Sequence, residues 1–376
     1  MGIRNLKSMT NTLIYKDSQL YEYYGLSGIK NLLVMVGGIL QSRTVNLYKI
    51  KDYVGGILGN DKTAPLSHYQ RLIRYFAEYS HYDSYSQHIL ELSHSFFATS
   101  YRYIILDGTK WDLDFRTVHL LTLSGIISDV AVPIAWEDIG KKGHSSQDER
   151  KDFFDKVLEK TSLKGKVLLA DREYVGRKWI AYLIDNQIDI VIRMKEACYK
   201  SELNEQQRSR AIRKAKRTKK PVKLPITING KKLWWVVFSN PQNDPKEPLL
   251  FFVTSLKNAT KATDAYKKRW LIECLFKHLK SNGFNLEDLG VKFSHKIELM
   301  MAILVLVYTF AVKQGLIKRF KIQMKKHKGG KIYQAVSTFR HGLSWLLCSF
   351  KNMRQLINLF QNIQSAKVTS GKPIPT

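Results

Sequence analysis

The apolar positions change their spacing near residue 100, which divides the chain into two kinds of structure. Residues 1–98 alternate short apolar runs with Ser, Gly and Asn, a pattern that predicts a helical N-terminal module. Three β-rich runs follow at 101–106, 115–123 and 130–136, separated by Gly, Ser and Asp residues. Three consecutive antiparallel strands are the simplest interpretation.

Beyond residue 140 the predicted strands alternate with predicted helices. Helical patterns near 148–163 and 177–186 separate apolar strands at 166–170 and 188–193. This alternation is typical of strands that lie parallel in one sheet, with the connecting helices on its faces. The sequence therefore predicts an α/β fold built on a mixed sheet flanked by helices.

A basic stretch at 195–260 breaks this rhythm, with a strand at 232–238 and a Pro-rich turn. We interpret it as a β-rich insertion, and the pattern after it is helical to the end. The predicted organisation is a helical N-terminal domain at 1–98, a first core segment at 99–194, the insertion at 195–260, a second core segment at 261–312 and a basic helical C-terminal region at 313–376.

The composition is globular, but the charge is far from balanced. Hydrophobic residues make up 44% and charged residues 25% of the 376 positions, which excludes wholesale disorder. The formal net charge is +29, and residues 195–232 carry 13 Lys/Arg against 3 Asp/Glu. A second basic block at 313–331 has eight Lys/Arg and no acidic residue. Such an excess repels itself unless a polyanion shares the surface, so nucleic acid is the expected partner.

Cysteine spacing and hydropathy indicate the compartment. Three widely separated cysteines without zinc-ligand spacing argue against a disulfide framework or a zinc site. The first 20 residues contain charged and polar positions where a signal peptide needs an apolar stretch. The most apolar segment, 299–312, has 14 residues, fewer than the roughly 20 that cross a bilayer, and predicts a buried helix. We expect a cytoplasmic protein with no membrane partner.

One predicted helix of the N-terminal module has a basic face. Pro65 opens it, Ser67 and Gln70 have the spacing of a capping box, and Arg71 and Arg74 follow among apolar residues. This face fits a helix-turn-helix reader of DNA. It fits equally an ordinary amphipathic helix with solvated arginines.

Two aspartates follow apolar strands and are candidates for metal chemistry. Asp107 comes after the run at 101–106, and Asp171 comes after the run at 166–170. A carboxylate at the end of a strand is held on rigid backbone and faces a crevice, which suits a metal ligand. If the two strands are neighbours, the two acids are neighbours too. Either residue alone is equally typical of a turn or a helix cap.

A third acid lies on a predicted helix that covers 266–280. Tyr266, Arg269, Glu273 and Lys280 are separated by steps that place all four on one narrow stripe of a single helix. A phenol, a guanidinium, a carboxylate and an ammonium then share one face. The alternative is a solvated face with an Arg–Glu pair four residues apart, a common arrangement.

The pattern Tyr-x2-Arg-x3-Glu-x6-Lys resembles the signature of a large family of bacterial insertion-sequence DDE transposases. It is intact as Tyr266, Arg269, Glu273 and Lys280, and Trp270 matches close relatives as well. The resemblance spans roughly residues 100–310: a first Asp in a strand, a second Asp in an Asp-Arg motif, a basic β-rich insertion and the Glu helix. The order of these features makes the resemblance more specific than the four signature residues alone.

The resemblance implies a ribonuclease H-like core in which Asp107, Asp171 and Glu273 are catalytic and bind two Mg²⁺ ions, with Mn²⁺ as a substitute. It also implies a homodimer that binds the inverted repeats of double-stranded DNA, cleaves them and joins the 3′-hydroxyl to target DNA. Such a protein acts in the bacterial cytoplasm, at the nucleoid. Independently, three carboxylates in one crevice repel each other unless cations neutralise them, and hard oxygen ligands favour Mg²⁺.

DNA contacts are expected from the residues around the acids. The resemblance assigns Tyr266, Arg269 and Lys280, with the adjacent Trp270, to the transposon end; a planar guanidinium and an ammonium both suit phosphates. Arg172 follows the second acid directly and is a further candidate, with a salt bridge as the alternative.

Two adjacent tryptophans in the insertion are candidates for a different contact. Relatives that cut through a DNA hairpin stack an extruded base on an insertion tryptophan, and Trp234 and Trp235 are the matching residues. Neighbouring strand residues face opposite ways, so one can be in the core while the other is exposed. Packing of both is the alternative.

Other acids and histidines are assigned no role in the chemistry. Asp112 and Asp114 do not directly end an apolar run, and Glu173 lies where the chain is expected to turn away from Asp171. His119 and His278 are expected to be packing or surface residues, because two-metal chemistry does not require a histidine base.

Three other functions remain compatible with parts of the sequence. A ribonuclease H-like nuclease without strand transfer would share every site residue. A transposase-derived DNA-binding regulator would bind without cutting, although it would gain nothing from acids that face phosphate. A basic RNA-binding protein is disfavoured, because no stacking-platform motif is present.

Overall fold

The computed structural model describes residues 20–366 apart from 98–100, 114–115, 142, 243, 328–329 and 331. The chain forms two compact units. The first, called here the helical unit, comprises residues 1–99, 113–115 and 275–376; the second, the sheet unit, comprises 100–112 and 116–274.

The sheet unit is organised around eight strands in the order β3-β2-β1-β4-β5-β8-β7-β6. Strand β4 is parallel to both β1 and β5, whereas β2 and β3 are antiparallel. The first five strands thus have the strand order of a ribonuclease H-like sheet, with β1, β4 and β5 as its parallel strands. The predicted mixed α/β fold is confirmed. The strands are β1 Tyr103–Leu113, β2 Arg116–Ile127, β3 Val130–Asp138, β4 Val167–Ala170, β5 Asp189–Met194, β6 Val222–Ile228, β7 Lys231–Ser239 and β8 Leu249–Thr254.

Strands β6, β7 and β8 come from the stretch interpreted as an insertion, and they extend the central sheet. Strand β8 is antiparallel to β5, with Arg193 opposite Phe252, and β7 and β6 continue outward from it. Their apolar side chains join the core of the other strands; Phe251 and Val253 are examples. The stretch is therefore continuous with the sheet.

Helices cover both faces of the sheet. In chain order they are α5 Gln147–Lys160, α6 Arg177–Asp185, α7 Glu205–Thr218, α8 Ala259–Lys267 and α9 Trp270–Leu279; α1–α4 belong to the helical unit. Helix α5 begins where Ser146 and Glu149 form a reciprocal capping box. Its buried Phe154 packs edge-on against Trp179 of α6, with ring centroids 4.9 Å apart. Helices α5 and α6 together bury one face of the sheet.

The helical unit contains both ends of the described chain. Its helices are α1 Leu20–Ser42, α2 Leu47–Leu58, α3 Pro65–Tyr79, α4 Asp83–Ser95, α10 Ser294–Ile317, α11 Thr338–Ser349 and α12 Met353–Ser365. A short hairpin of β9 Met324–Lys326 and β10 Ile332–Gln334 interrupts the helical pattern predicted for this region.

Helix α10 forms the centre of the helical unit. It has 24 residues, more than the 14 of the apolar run, and it is buried along almost its whole length, as predicted. Two helices, α1 and α10, are long and apolar enough to cross a bilayer by length and composition alone, but 94% of the α10 window is buried inside the protein. The burial marks α10 as a core helix.

The basic helix of the N-terminal module begins differently from the prediction. Helix α3 starts with Pro65 in its first turn and has Ala64 as its N-cap, without a side-chain cap, so the predicted capping box is wrong. Proline at the first helical position is favoured because the missing N–H would be unpaired anyway. Arg71 donates from Nε to Asn31 Oδ1 at 2.8 Å and so ties α3 to α1, whereas Arg74 is exposed.

Candidate active site

Strand register brings the two aspartates side by side. Leu106 pairs with Ala170 as the last residues of the parallel β1–β4 ladder, and Asp107 and Asp171 are the next residue of each strand. The two strands are neighbours, so the condition under which the two acids lie side by side is met. Asp107 does not end its strand, however, because β1 continues to Leu113 after it separates from β4.

Backbone amides fix both aspartates. Asp107 accepts a hydrogen bond from the Gly108 N–H at 2.9 Å. Asp171 caps a single 3₁₀ turn, Arg172–Tyr174, and accepts from the Arg172 N–H at 2.7 Å. A carboxylate that accepts a backbone N–H has a restricted orientation, so the strand ends determine where both carboxylates point.

The residues at 266–280 do not form the single helix that was predicted. Helix α8 ends at Lys267 and α9 begins at Trp270, with Lys268 and Arg269 in the turn between them. The turn has i→i+3 bonds: the Arg269 N–H donates to the Tyr266 carbonyl at 2.9 Å. Side chains three residues apart eclipse in a 3₁₀ turn. Tyr266 and Arg269 therefore still share one side, which is why the periodicity of the sequence did not reveal the break.

Arg269 joins two of the three acids. Its Nη1 lies 3.1 Å from Asp107 Oδ2, and its Nη2 forms an ion pair with Glu273 Oε1. The Arg269 side chain is only 13% exposed. Burial alone would lower the pKa of Arg269, but the surrounding phenol and three carboxylates outweigh burial and raise the pKa. The guanidinium thus lies in the field of all three acids.

Tyr266 contacts both Asp171 and the sheet. Its hydroxyl donates to Asp171 Oδ1 at 3.3 Å, and its ring packs edge-on against Phe252 of β8 at 4.8 Å between centroids. Burial and the adjacent Asp171 carboxylate raise the pKa of Tyr266, so the phenol keeps its proton and remains a donor. Tyr266 therefore holds Asp171 in a fixed position.

Asp107 is the acid whose protonation the site perturbs most clearly. Burial raises the pKa of Asp107 to about 6, although Arg269 and the Gly108 amide favour the charged form. The negative charges of Glu173 and Asp171 add to the rise. One guanidinium is therefore not enough to neutralise the acids in this crevice.

The acids supply only oxygen atoms, which suits a hard divalent cation. Among the residues that the structure describes, no three His, Cys, Asp or Glu side chains are close enough to hold one metal ion. The Arg269 guanidinium occupies the space between Asp107 and Glu273 instead. Residues Asp107, Asp171 and Glu273 fit a hard cation in charge and donor type, and a cation between Asp107 and Glu273 would displace the guanidinium.

Glu173 is a site residue that the sequence reasoning missed. Its charge raises the pKa of Asp107, which means that the chain has not turned away from the crevice as expected. Its Oε2 lies 2.6 Å from His144 Nδ1, and its backbone carbonyl accepts from buried Arg150 at 2.8 Å. The tightness of a one-turn 3₁₀ segment explains why a residue two positions after Asp171 remains near the first acid.

The two histidines near these motifs have packing roles. His119 is buried, and a Cβ on Gly108 would lie 2.8 Å from its Nε2, so glycine is required there. His278 packs on Phe339 at 4.5 Å between ring centroids, and burial lowers its pKa to about 4. The packing prediction for both histidines is confirmed. Asp112 accepts from Thr117, and Asp114 lies outside the described residues.

The remaining candidates for DNA contact lie in two environments. Trp270, the first residue of α9, is 61% exposed, and Arg172 is exposed too. Arg172 forms no ion pair with any residue in the described part of the chain. Lys280 directly follows α9, belongs to the helical unit and lies 3.1 Å from Glu287.

The two insertion tryptophans face opposite sides of β7. Trp235 is completely buried and packs against Phe251 with ring centroids 5.4 Å apart, so its assignment as a DNA contact is corrected to a core role. Trp234 is half-buried, and Lys223 Nζ lies 3.7 Å from its ring centroid. Alternation along the strand therefore leaves Trp234 as the candidate for base stacking.

Comparison with known proteins finds one family model that matches part of the chain. Residues 142–310 match the family model described as the transposase DDE domain, a span that includes Asp171 and Glu273 and begins after Asp107. The match supports a DDE transposase family. No curated protein matches the chain. Among solved structures, the chain is similar to a cryo-EM structure of the piggyBac transposase synaptic complex with hairpin DNA. The two share 11% sequence identity, the TM-score is 0.48, and the similarity covers 90% of this chain and 70% of that one.

Proposed function

We propose that this chain is a cut-and-paste DNA transposase of the insertion-sequence family with the Tyr-x2-Arg-x3-Glu-x6-Lys signature. It binds the ends of a transposon, cleaves them and joins the freed 3′-hydroxyl to target DNA. The observation that carries the proposal is the Arg269 guanidinium between Asp107 and Glu273, together with the pairing of β1 and β4 that sets Asp171 beside Asp107. The DDE domain match over 142–310 supports it.

Asp107, Asp171 and Glu273 are the residues that would hold divalent cations, two Mg²⁺ or Mn²⁺ ions in the proposed reaction. When bound, such ions activate an attacking oxygen and neutralise the leaving oxygen at a scissile phosphate. The raised pKa of Asp107, about 6, means that its carboxylate is charged and able to bind a cation only above that pH in the metal-free protein. Metal binding and activity should therefore weaken as the pH falls below about 6.

The other site residues orient the acids and the DNA. Tyr266 donates to Asp171 and keeps its carboxylate fixed. Arg269 forms ion pairs with Asp107 and Glu273 in the metal-free state, and a guanidinium released by a cation can bind a phosphate as a planar fork. Exposed Trp270 and Arg172, and Lys280 after α9, are the proposed contacts to the transposon end.

Double-stranded DNA is the proposed partner, and the reaction is proposed to occur at the nucleoid of a bacterial cell. The +29 net charge suits a protein that holds a transposon end and a target together. Two ends must be held at once, so we propose a homodimer in the DNA complex. The half-buried Trp234 is the proposed stacking residue if second-strand cleavage uses a hairpin. The five-segment domain organisation predicted from the sequence remains part of this proposal.

The test is to incubate the purified protein with its own flanking DNA ends, in Mg²⁺ and separately in Ca²⁺. A denaturing gel resolves cleaved, hairpin and joined products. Cleaved and joined products in Mg²⁺ are expected. Cleavage without joined products would identify a nuclease that lacks strand transfer, and binding of the ends without cleavage would identify a DNA-binding regulator.

A further inference from the structure

Helix α7 has a clear inner side. Asn204 caps its N-terminus by accepting from the N–H groups of Gln206 and Gln207. Ala211 and Ala215 are buried in the sheet core, and the Ala215 carbonyl accepts a hydrogen bond from the Ser239 hydroxyl at 2.9 Å. Small residues on this side bring the helix backbone close to strands β6 and β7.

The opposite side of α7 carries four exposed cations, named here the outer stripe. At about 100° per residue, they lie within about 60° of Arg210, whereas Ala211 and Ala215 lie at about 100° and 140° from it. The cations therefore point away from the core. The outer stripe consists of Arg210, Arg213, Lys214 and Arg217, all exposed.

The acids near α7 do not neutralise the outer stripe. Glu205 and Glu196 both pair with Arg208, at 2.6 Å and 2.7 Å. Within the described part of the chain, no residue of the outer stripe forms an ion pair with a carboxylate, and exposed Lys216, Lys219 and Lys220 lie beside it without one. Concentrated positive charge of this kind repels itself and is relieved by a polyanion.

The outer stripe lies on the face of the sheet that is opposite to the acids. Leu106 and Ala170 belong to the same buried cluster as Ala211 and Ala215, so their side chains lie on the face of the sheet that α7 covers. Successive strand residues face opposite ways. The adjacent Asp107 and Asp171 therefore point to the other face, and DNA at the carboxylates would not by itself reach the outer stripe.

We propose that the outer stripe of α7 binds the phosphates of a second DNA duplex, separate from the duplex at the acids. The proposal rests on the proposed function, because strand transfer needs an end and a target on one protein. The seven residue steps from Arg210 to Arg217 extend about 10 Å along the helix, the axial rise of about three phosphates on one strand. Phosphate contacts carry no sequence information, which suits a target duplex of arbitrary sequence.

The first test compares salt dependence of binding to a random duplex for three proteins. The outer-stripe variant replaces all four cations by Gln. The matched control removes four exposed cations from scattered positions, as K62Q/K164Q/K351Q/R354Q. Because each phosphate contact contributes about 0.9 to the slope of log K against log salt, the outer-stripe variant should lose about 3 to 4 from the slope. The control should change by less than about 1.

The same loss is expected on two duplexes of unrelated sequence. Equal slopes for the outer-stripe variant and the wild type would overturn the proposal, and so would an equal loss in the scattered control, which would indicate an effect of net charge alone. Circular dichroism melting of each variant checks that the fold is intact.

The second test asks whether the outer stripe holds a separate duplex. A labelled random duplex is added to protein that carries one molar equivalent of an unlabelled duplex from its own flanking DNA. Wild-type protein should bind both duplexes, and the outer-stripe variant should keep the first and lose the second. Loss of the first duplex, or full retention of the second, would contradict the proposal.

The two proposals fail in different ways. If the wild type never cleaves its ends in Mg²⁺ but the outer-stripe variant loses the predicted slope, the transposase proposal fails and the phosphate-binding surface stands. If the wild type cleaves and joins but the variant binds both duplexes normally, only the outer-stripe proposal fails.

Discussion

Replacement of Arg269 by Gln removes the one positive charge that lies between Asp107 and Glu273. A broken buried ion pair costs about 3–5 kcal/mol, whereas an exposed pair contributes about 0–1 kcal/mol. The Arg269 side chain is 13% exposed and its partners are 17% and 34% exposed. Solvent partly screens the unpaired carboxylates of the variant, and a rise in the pKa of Asp107 lets that group take up a proton, so both reduce the cost of the broken ion pairs. We therefore expect a decrease of about 2 kcal/mol in the free energy of unfolding at pH 7.5.

Thermal melting in EDTA measures this decrease. For a domain of this size, about 2 kcal/mol corresponds to a fall in Tm of about 4–8 °C. Lys267→Gln is a matched control two residues away: its ion pair with Asp264 is more than half exposed on both sides, so its Tm should stay within about 1 °C of wild type.

Added Mg²⁺ gives a second readout on the same samples. A cation no longer competes with a guanidinium in the variant, so Mg²⁺ should raise the Tm of Arg269→Gln by more than that of the wild type. If Arg269→Gln melts together with Lys267→Gln, and Mg²⁺ shifts variant and wild type equally, the bridge between Asp107 and Glu273 does not exist in solution.

Three further predictions concern single residues of the sheet unit. The pKa of Asp107 in the folded protein, about 6, exceeds that of an ordinary carboxyl, so folding takes up a proton and the free energy of unfolding falls as the pH rises from about 4 to 6. Asp107→Asn should abolish this fall, and its Tm should exceed that of the wild type at pH 7.5 in EDTA. A Tm below that of the wild type would contradict the prediction. Gly108→Ala should lower the free energy of unfolding in urea by about 1–3 kcal/mol, because its Cβ would lie 2.8 Å from His119 Nε2. The control Gly56→Ala in α2, with open space around its Cβ, should raise the free energy of unfolding by about 0.5–1 kcal/mol. Equal effects of the two substitutions would refute the clash at Gly108. Trp235→Ala should lose about 3–5 kcal/mol, and a loss below about 1 kcal/mol would mean that its ring is not in the core.

Short apolar runs predicted the central strands well, because a strand buried on both faces consists almost entirely of apolar residues. Strand β4, Val167–Ala170, is completely buried and lies where the run at 166–170 predicted it. The α/β alternation predicted parallel strands but not which of them pair, so the adjacency of Asp107 and Asp171 was predicted only on the condition that β1 and β4 are neighbours.

Features that depend on non-local pairing or tight turns were not predictable. Strand β8 pairs with β5 through residues far apart in the chain, such as Arg193 and Phe252, and nothing local encodes that register. The turn at Lys268 and Arg269 preserves the spacing of the side chains while it divides the helix. Glu173 was missed for the same kind of reason, because a one-turn 3₁₀ segment has no periodicity to detect.

The most direct test of the central claim compares strand cleavage by wild-type protein and Glu273→Gln, with binding to the flanking DNA ends measured on the same preparations. Glutamine keeps the size of the side chain but removes the charge that a divalent cation requires. We expect Glu273→Gln to bind the ends with an affinity within a few fold of wild type and not to cleave them in Mg²⁺. Cleavage by Glu273→Gln at the wild-type rate would contradict the assignment of the three acids as the catalytic centre.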